Sequence, residues 1–268
     1  MNDGHKTLKA CCAAAYHSSD VVPLLLGDAY HPGGAALTRR LADALAVAPG
    51  ERVLDVASGR GATALLLADA YGVEVDGVDY SPAATALAQE AARAAGVADS
   101  VRFATGDAER LPYPDGAFDA AVCECALCTF PDKARAAAEF ARILRPGGRL
   151  GLTDVTADAD RLPPELTGLT ARIACVADAR TLTGPAGYES LLAGAGLRTT
   201  AAERHDDALL SMVDRIEARL TLLRMAAPDR LRAAGLDLDA APAVLAAARA
   251  AVASGTLGYA LLVAVKAD

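Results

Sequence analysis

The chain has 268 residues, 53% of them hydrophobic, and carries a formal net charge of −8 with a sequence pI of about 5.0. This length favours one large domain or a domain with additions, and the apolar content is ample for one core. An acidic protein is repelled by phosphate backbones and anionic lipid, so nucleic acid and membrane surfaces are poor partners. No clean apolar run reaches the roughly 18 residues of a membrane span, and residues 1–10 lack a signal-peptide core. We therefore expect a cytoplasmic protein with reduced cysteines.

Residues 1–50 precede the first predicted strand and are expected to form an N-terminal helical cap. A helix is predicted from Ser19 to Leu26 and another from Leu37 to Leu45. The glycines and the proline between them predict a loop. Three polar side chains lie in that loop, those of Asp28, Tyr30 and His31. The loop either folds over a bound ligand or connects the helices with its polar groups in water.

An apolar strand followed at once by a glycine turn and a helix is the central feature of the chain. The strand runs from Val53 to Ala57, the turn is Ser58-Gly59-Arg60-Gly61, and the helix covers residues 62–70. Such a turn presents bare backbone N–H groups at the positive end of a helix dipole. The pattern therefore predicts a ligand-binding turn at the end of the first strand.

Two carboxylates accompany this turn. Asp55 lies within the first strand, and the second strand, predicted at 73–78, ends in Asp79. An acid at the end of the second strand is placed to hydrogen-bond ribose hydroxyls, so a nucleotide-type ligand is expected. The glycines alone do not identify it, because Gly59, Gly61 and Ala64 follow the G-x-G-x-x-A variant of a common fingerprint.

Strands and helices continue to alternate through residue 155, which predicts a parallel sheet covered on both faces. The elements expected here are a helix at 82–95 capped by Ser81, a strand at 101–105 followed by Gly106-Asp107-Ala108, a strand from Phe118 into Cys123-Glu124-Cys125, a helix at 132–144 and a fifth strand at 149–153. Residues 156–268 are less regular. Helices are predicted there at 165–175, 188–195, about 207–225 and about 240–253, and strands at 197–203 and 259–266. Without a repeat or a low-complexity linker, we expect residues 1–268 to form one domain.

This ordered set of motifs resembles the class I S-adenosylmethionine-dependent methyltransferases over residues 50–155. The resemblance implies an α/β, doubly wound, mostly parallel, seven-stranded Rossmann-like sheet with an N-terminal helical cap and C-terminal helical additions. It implies S-adenosylmethionine as cofactor, with the methionine part at the glycine turn, the ribose at Asp79 and the adenine amino group near Asp107. The cofactor-binding residues expected from it are Asp55, Gly59, Gly61, Asp79, Tyr80, Asp107, Ala108, Cys123 and Tyr30.

Within this class, the segment from Cys123 to Lys133 resembles the arsenite methyltransferases, in which a cysteine precedes Pro-Asp-Lys by six residues. Cys125 stands at that place before Pro131, and Cys175 matches a second cysteine of the family. The resemblance implies that the thiolates of Cys125 and Cys175 hold trivalent arsenic as the methyl acceptor. Soft arsenic is held by thiolates rather than by oxygen ligands, which agrees with this chemistry.

The N-terminal Ala10-Cys11-Cys12 resembles a further cysteine group of the same family. It implies that Cys11 and Cys12 assist catalysis, together with a thiol reductant such as glutathione or thioredoxin. The cysteine of the family's Tyr-Gly-Cys-Gly loop is absent here, so the disulfide relay and the number of methyl groups stay open.

Two other interpretations remain open. Free cysteines often pack as small buried hydrophobes, and an enzyme of that kind would methylate carbon, oxygen or nitrogen of a small metabolite. It would usually need a general base, for which His31 is the best of the four histidines and His205 the second. Thiolate-bound arsenic needs no base, so the lack of an evident one favours arsenic. The other interpretation is a non-catalytic regulator that binds the cofactor. In each case we expect a monomer or a homodimer without a resident metal.

Overall fold

Seven strands in the described part of the chain form one sheet. In chain order the strands are β1 (Arg52–Val56), β2 (Glu74–Asp79), β3 (Val101–Thr105), β4 (Phe118–Glu124), β5 (Leu144–Ala157), β6 (Leu197–Arg204) and β7 (Leu257–Lys266). Their order across the sheet is β3-β2-β1-β4-β5-β7-β6. Strands β1 to β5 pair in parallel, whereas β7 is antiparallel to both β5 and β6. The predicted mostly parallel, Rossmann-like sheet is thus confirmed.

The computed structural model describes residues 25–27, 30–166, 183–233 and 237–267. Most of the predicted helices at 19–26 and 165–175 lies outside these ranges. Four residues of the predicted loop and sites lie outside them as well: Asp28, Cys11, Cys12 and Cys175.

Helices cover the sheet and connect its strands. In the described ranges they are α1 (Gly34–Leu45), α2 (Ala62–Tyr71), α3 (Pro82–Ala94), α4 (Lys133–Ile143), α5 (Gly184–Gly194), α6 (Asp206–Ala226), α7 (Pro228–Ala233) and α8 (Ala241–Ala253). The predicted cap of α3 is confirmed, because the Ser81 hydroxyl accepts the N–H of Ala84 at 3.2 Å. None of these helices combines the length and hydropathy needed to cross a membrane.

The two largest core clusters lie on the two faces of the sheet. Val53 and Val122 belong to one cluster of buried side chains, and Leu54 and Ala121 belong to the other. Because neighbouring strand residues point to opposite faces, the clusters lie on opposite sides of the sheet. Helices α1, α2 and α3 contribute to the first cluster, whereas α4 and α5 contribute to the second.

Helix α1 lies very close to β5. A Cβ atom on Gly151 of β5 would be 2.7 Å from Leu45 Cδ1 and 2.9 Å from Leu41 Cδ1, so only glycine allows this approach. Both leucines are buried. This contact anchors α1 and thereby carries the loop in front of it, residues 30–33, to the carboxyl ends of the strands.

Two details of the predicted strands were wrong. The fifth strand, expected at 149–153, begins earlier, at Leu144, through its pairing with Phe118. Strand β4 ends at Glu124 and does not continue through Cys125, whose φ of 54° lies in the left-handed region. As a result, Cys123 and Cys125 do not share a face: Cys123 is buried in the second cluster, and Cys125 packs against the first.

Candidate functional site

A cavity of about 380 Å³ lies at the carboxyl ends of the parallel strands, beside the point where the strand order reverses between β1 and β4. Ligands of open α/β sheets bind at such a point. The structure brings most of the expected site residues together in its lining: Tyr30, Asp55, Gly59, Asp79, Tyr80, Asp107, Ala108 and Cys125. Gly61 and Cys123 are not part of the lining.

Asp79 connects the glycine turn to the second strand. Its Oδ2 accepts the N–H of Gly59 and its Oδ1 accepts the N–H of Ser81, both at 2.8 Å. The side chain is buried, yet it lines the cavity. A carboxylate offers about four lone-pair sites, so further acceptor capacity remains after these two bonds. Asp79 can therefore hold the glycine turn in place and still accept hydrogen bonds from a ribose.

Gly61 contributes packing rather than lining. It is the N-cap of α2 with a φ of 87°, and a Cβ there would lie 2.6 Å from Phe103 Cζ. The glycine is thus needed twice, for its left-handed backbone and for the approach of the Phe103 ring. The expectation that Gly61 touches the cofactor stays a prediction, to be set beside this packing role.

Replacing Gly61 by alanine is expected to lower the free energy of unfolding by roughly 2–4 kcal/mol, from backbone strain plus overpacking. Gly96→Ala is the matched control, because Gly96 also has a positive φ, 73°, but has no atom within 4 Å of an added Cβ. It should cost only the backbone strain, roughly 1–2 kcal/mol. Urea denaturation of both variants measures the difference, and equal losses would show that the Phe103 contact relaxes freely.

The far end of the cavity is built from the ends of the paired strands β2 and β3. Tyr80 follows β2 directly and is 36% exposed. Asp107 and Ala108 follow β3, and Asp107 Oδ1 accepts the N–H of Glu109 at 3.0 Å. This end has the aromatic and acidic groups that the resemblance assigns to the adenosine part of the cofactor, and that assignment stays a prediction.

Asp55 is a buried carboxylate at the floor of the cavity. It is 2% exposed, and its Oδ2 has no hydrogen-bond partner among the described residues. Burial raises the pKa of Asp55 well above its usual range, and the negative charges of Glu124 and Asp79 raise it further. A cation in the cavity would relieve both effects. The residues present therefore fit S-adenosylmethionine, which carries a sulfonium and an α-ammonium group.

The N-terminal loop closes over the glycine turn. Arg60, inside the turn, donates a hydrogen bond from Nη1 to the Tyr30 hydroxyl at 3.0 Å. Tyr30 and His31 both line the cavity. These positions agree with the interpretation in which the loop folds over the ligand site, and contact of Tyr30 with the cofactor stays a prediction.

Glu124 is a site residue that the sequence analysis missed. Its side chain is 4% exposed, although it lines the cavity. Oε2 accepts hydrogen bonds from Thr63 at 2.7 Å and from Thr38 at 3.0 Å, and Oε1 lies 3.4 Å from the Thr153 hydroxyl. A carboxylate at the end of an apolar strand is costly to bury, and this was the available sequence signal.

His31 lies beside this carboxylate. Its Nε2 is 3.8 Å from Glu124 Oε2 and 3.4 Å from the Thr38 hydroxyl, while its Nδ1 is 3.2 Å from the Pro32 carbonyl oxygen. The second candidate base, His205, lies elsewhere: it precedes α6 next to Glu203, at 3.1 Å, and does not line the cavity. Among the described histidines, only His31 reaches the site.

The described cysteines have different environments. Cys123 and Cys128 are buried in the core, and burial, followed by the nearby Asp154 carboxylate, raises the pKa of the Cys123 thiol well above its usual range. Cys123 is not part of the cavity lining, and its expected contact with the cofactor stays a prediction. Cys125 lines the cavity, and its N–H donates to the Thr153 carbonyl at 2.6 Å.

Comparison with known proteins agrees with this arrangement. A family model described as a methyltransferase domain matches residues 54–152. The 27-O-demethylrifamycin SV methyltransferase of Amycolatopsis mediterranei is 33% identical over 241 residues, which cover 87% of this chain and 83% of that protein. The arsenite methyltransferase of Halobacterium salinarum is 34% identical over 154 residues, which cover 54% of this chain and 39% of that protein.

A solved structure shares the fold over nearly the whole chain. Geranyl diphosphate C-methyltransferase from Streptomyces coelicolor, in complex with Mg²⁺, geranyl diphosphate and S-adenosyl-L-homocysteine, has a TM-score of 0.74 at 18% identity and covers 97% of this chain. The rifamycin relative extends the likeness in sequence well beyond the first five strands. From the sheet order, the acidic cavity and these relatives together, we conclude that the chain belongs to the class I S-adenosylmethionine-dependent methyltransferases and uses S-adenosylmethionine as its cofactor.

Proposed function

We propose that the enzyme methylates a hydroxyl group of a small organic acceptor, with His31 as general base. The observation that carries this proposal is the position of the His31 imidazole in the cavity, 3.8 Å from the buried carboxylate of Glu124. A positioned base of this kind is what an oxygen acceptor needs and what an arsenic acceptor does not. With His31 in the cavity, the site no longer lacks a candidate base, and this reason for favouring arsenic is lost.

The hydrogen bonds around His31 support this role. Nδ1–H donates to the Pro32 carbonyl oxygen, an assignment made from the geometry, so Nε2 carries the lone pair. The single hydroxyl proton of Thr38 is given to Glu124 at 3.0 Å, the shorter of its contacts. His31 Nε2 is then available to take the proton of an acceptor hydroxyl, and the negative charge of Glu124 stabilises the imidazolium. The bound cofactor supplies an electrophilic methyl group.

The share of this chain that aligns with each relative supports an oxygen acceptor. The rifamycin methyltransferase, whose name gives an oxygen as its methylation site, is similar over 87% of this chain. The arsenite methyltransferase is similar over 54%. An alignment that reaches beyond the cofactor-binding strands is the more informative one, because the acceptor is bound by the segments around them.

A second candidate acceptor is thiol-bound trivalent arsenic, favoured by Cys125. Its side chain lines the cavity at the end of β4, next to Glu124, where a soft acceptor could be held by a thiolate. In this proposal Cys175 is the second ligand, Cys11 and Cys12 assist, and glutathione or thioredoxin supplies the reductant in the cytoplasm. Either acceptor is a small molecule.

One experiment separates the two acceptors. The purified enzyme is incubated with S-adenosylmethionine and either a panel of phenols and aliphatic alcohols or arsenite with glutathione. Formation of S-adenosylhomocysteine and chromatography of the products measure turnover. Methyl ethers without methylated arsenicals support the first proposal, methylated arsenicals alone support the second, and no turnover with any acceptor would favour a non-catalytic cofactor-binding protein.

Cys125→Ser sharpens this comparison. If arsenic is the acceptor, loss of one thiolate misplaces the lone pair, and a shift of about 1 Å can reduce the rate on the order of a hundredfold. If a hydroxyl is the acceptor, the variant should keep nearly all its activity. Cys128→Ala is the control, because Cys128 is buried and does not line the cavity. Equal losses in both variants would point to a folding defect, which circular dichroism would detect.

A further inference from the structure

The environment of Glu124 is unusual for a buried carboxylate. Its hydrogen-bond partners are neutral hydroxyls, from Thr38, Thr63 and Thr153. No described lysine or arginine forms an ion pair with it, and the nearest basic group is the His31 ring at 3.8 Å. The hydroxyls fix the position of the carboxylate but leave its negative charge in place. A buried negative charge is normally paired with a positive group, from the protein or from a bound ligand.

A second, independent feature indicates a place for a cation in the same cavity. Asp55 is 98% removed from solvent, lines the same cavity, and has an Oδ2 without a hydrogen-bond partner in the described part of the chain. Glu124 is the strongest charged neighbour that disfavours its ionised form. No three described His, Cys, Asp or Glu side chains are grouped as metal ligands. The two carboxylates therefore suit an organic cation that spans the space beside them.

The two carboxylates, Asp55 and Glu124, lie at different places in the cavity. Asp55 lies in β1 beneath the glycine turn, whereas Glu124 ends β4 next to Cys125, on the side of the cavity away from Tyr80 and Asp107. Thr63, which donates to Glu124, is in the first turn of α2, directly after the glycine turn. Glu124 thus lies at the junction between the cofactor end and the acceptor end of the cavity.

We infer that Glu124 is the electrostatic partner of the cofactor's sulfonium centre and makes the site prefer the charged cofactor over its neutral product. Methyl transfer would form a bond between the methyl carbon and the acceptor atom and break the bond between that carbon and sulfur. The electron pair of the broken bond would stay on sulfur, so the positive charge there would disappear. Glu124 would then no longer face a positive charge, whereas the other contacts between the protein and the cofactor would be unchanged. The carboxylate would in this way favour exchange of spent product for fresh cofactor. This inference concerns the cofactor and does not depend on which acceptor is methylated.

Titration calorimetry of the isosteric variant Glu124→Gln tests this inference without any acceptor. Three ligands are used: S-adenosylmethionine, S-adenosylhomocysteine, which is neutral at sulfur, and sinefungin, which carries an ammonium group in place of the sulfonium methyl. The wild-type protein should bind the two charged ligands more tightly than the neutral one. In Glu124→Gln this preference should fall about tenfold, the effect expected from removing one charge contact at intermediate dielectric. Binding of S-adenosylhomocysteine should change little.

Asp107→Asn is the matched control, because it removes a carboxylate at the other end of the same cavity. It should weaken the binding of all three ligands by the same factor and leave the ratios of their dissociation constants unchanged. If Glu124→Gln also weakens all three alike, or leaves the preference intact, Glu124 only ties α1 to α2 and the inference is wrong. Should Glu124→Gln fail to fold, Glu124→Asp keeps the charge but withdraws it by one methylene. A reduced preference in that variant supports the inference, and an unchanged preference overturns it.

Discussion

Asp79→Ala is expected to weaken S-adenosylmethionine binding on the order of a hundredfold, since each hydrogen bond to a charged group contributes about 1.5–3 kcal/mol. Two effects add. The ribose would lose its carboxylate acceptor, and the N–H groups of Gly59 and Ser81 would lose the oxygens that they now contact at 2.8 Å. The glycine turn would then be free to move away from the position in which we expect it to contact the methionine part. Titration calorimetry with the purified variant measures the dissociation constant.

Asp76→Ala provides the control on the same strand. Asp76 lies three residues before Asp79 in β2, pairs with Arg52 at 2.9 Å, and is not part of the cavity lining. Its removal should leave cofactor binding unchanged. Asp79→Ala binding with wild-type affinity would contradict the assigned place of the ribose.

His31→Gln is expected to lower kcat with a hydroxyl acceptor about a hundredfold or more, the usual range for loss of a general base. The glutamine amide cannot take a proton from the acceptor, although it is similar in size to the imidazole. Cofactor affinity should change little, because the glycine turn and Asp79 are untouched. Steady-state kinetics with the best acceptor from the panel, together with calorimetry for S-adenosylmethionine, separates the two quantities.

His205→Gln is a close match for this experiment, since His205 also lies beside a glutamate, Glu203, at 3.1 Å, but outside the cavity. It should keep wild-type kcat. A His31→Gln variant with full activity would exclude His31 as the base and shift the balance towards arsenic. A variant that methylates normally at saturating acceptor but with a raised KM would assign His31 to acceptor binding instead.

Glu124 contacts both the elements that hold His31 and the helix that follows the glycine turn. Thr38 comes from α1 and Thr63 from α2, so one carboxylate joins the cap to the helix that follows the glycine turn. The ring of His31 is held in the loop directly before α1. Changes at Glu124 are therefore expected to affect both the base and the cofactor, whereas changes at His31 should affect the base alone. This difference is why the ligand preference, rather than activity, is the informative measurement for Glu124.

The cofactor side of the site was predictable from short stretches of sequence. A glycine turn directly after a strand and an acid at the end of the next strand are local patterns, and the parallel pairing of β1 with β2 brings them together. Gly59 and Asp79 are 20 residues apart and are joined by one hydrogen bond. The order of strands and helices followed from periodicity for the same reason, because each element depends mainly on its own residues.

The cysteine pattern was a weaker guide. If β4 continued through Cys125, the strand period of two would place Cys123 and Cys125 on one face, but the left-handed backbone at Cys125 separates them. Single-residue backbone conformations at strand ends depend on what packs above them, here the contact of the Cys125 N–H with the Thr153 carbonyl of β5. The spacing of the family motif singled out Cys125, which lines the cavity, but the strand period did not reveal that Cys123 lies outside that lining.

Residue order alone thus specified the fold class through local patterns repeated along the chain, and the cofactor through the family resemblance of those patterns. Tertiary structure decided the acceptor end. Thr38 and Glu124 are 86 residues apart, and they meet only because Gly151 lets α1 lie against β5 and carry His31 to the edge of the sheet. No periodicity encodes such a contact. It arises from the close packing of one helix on one strand, which is a property of the folded chain as a whole.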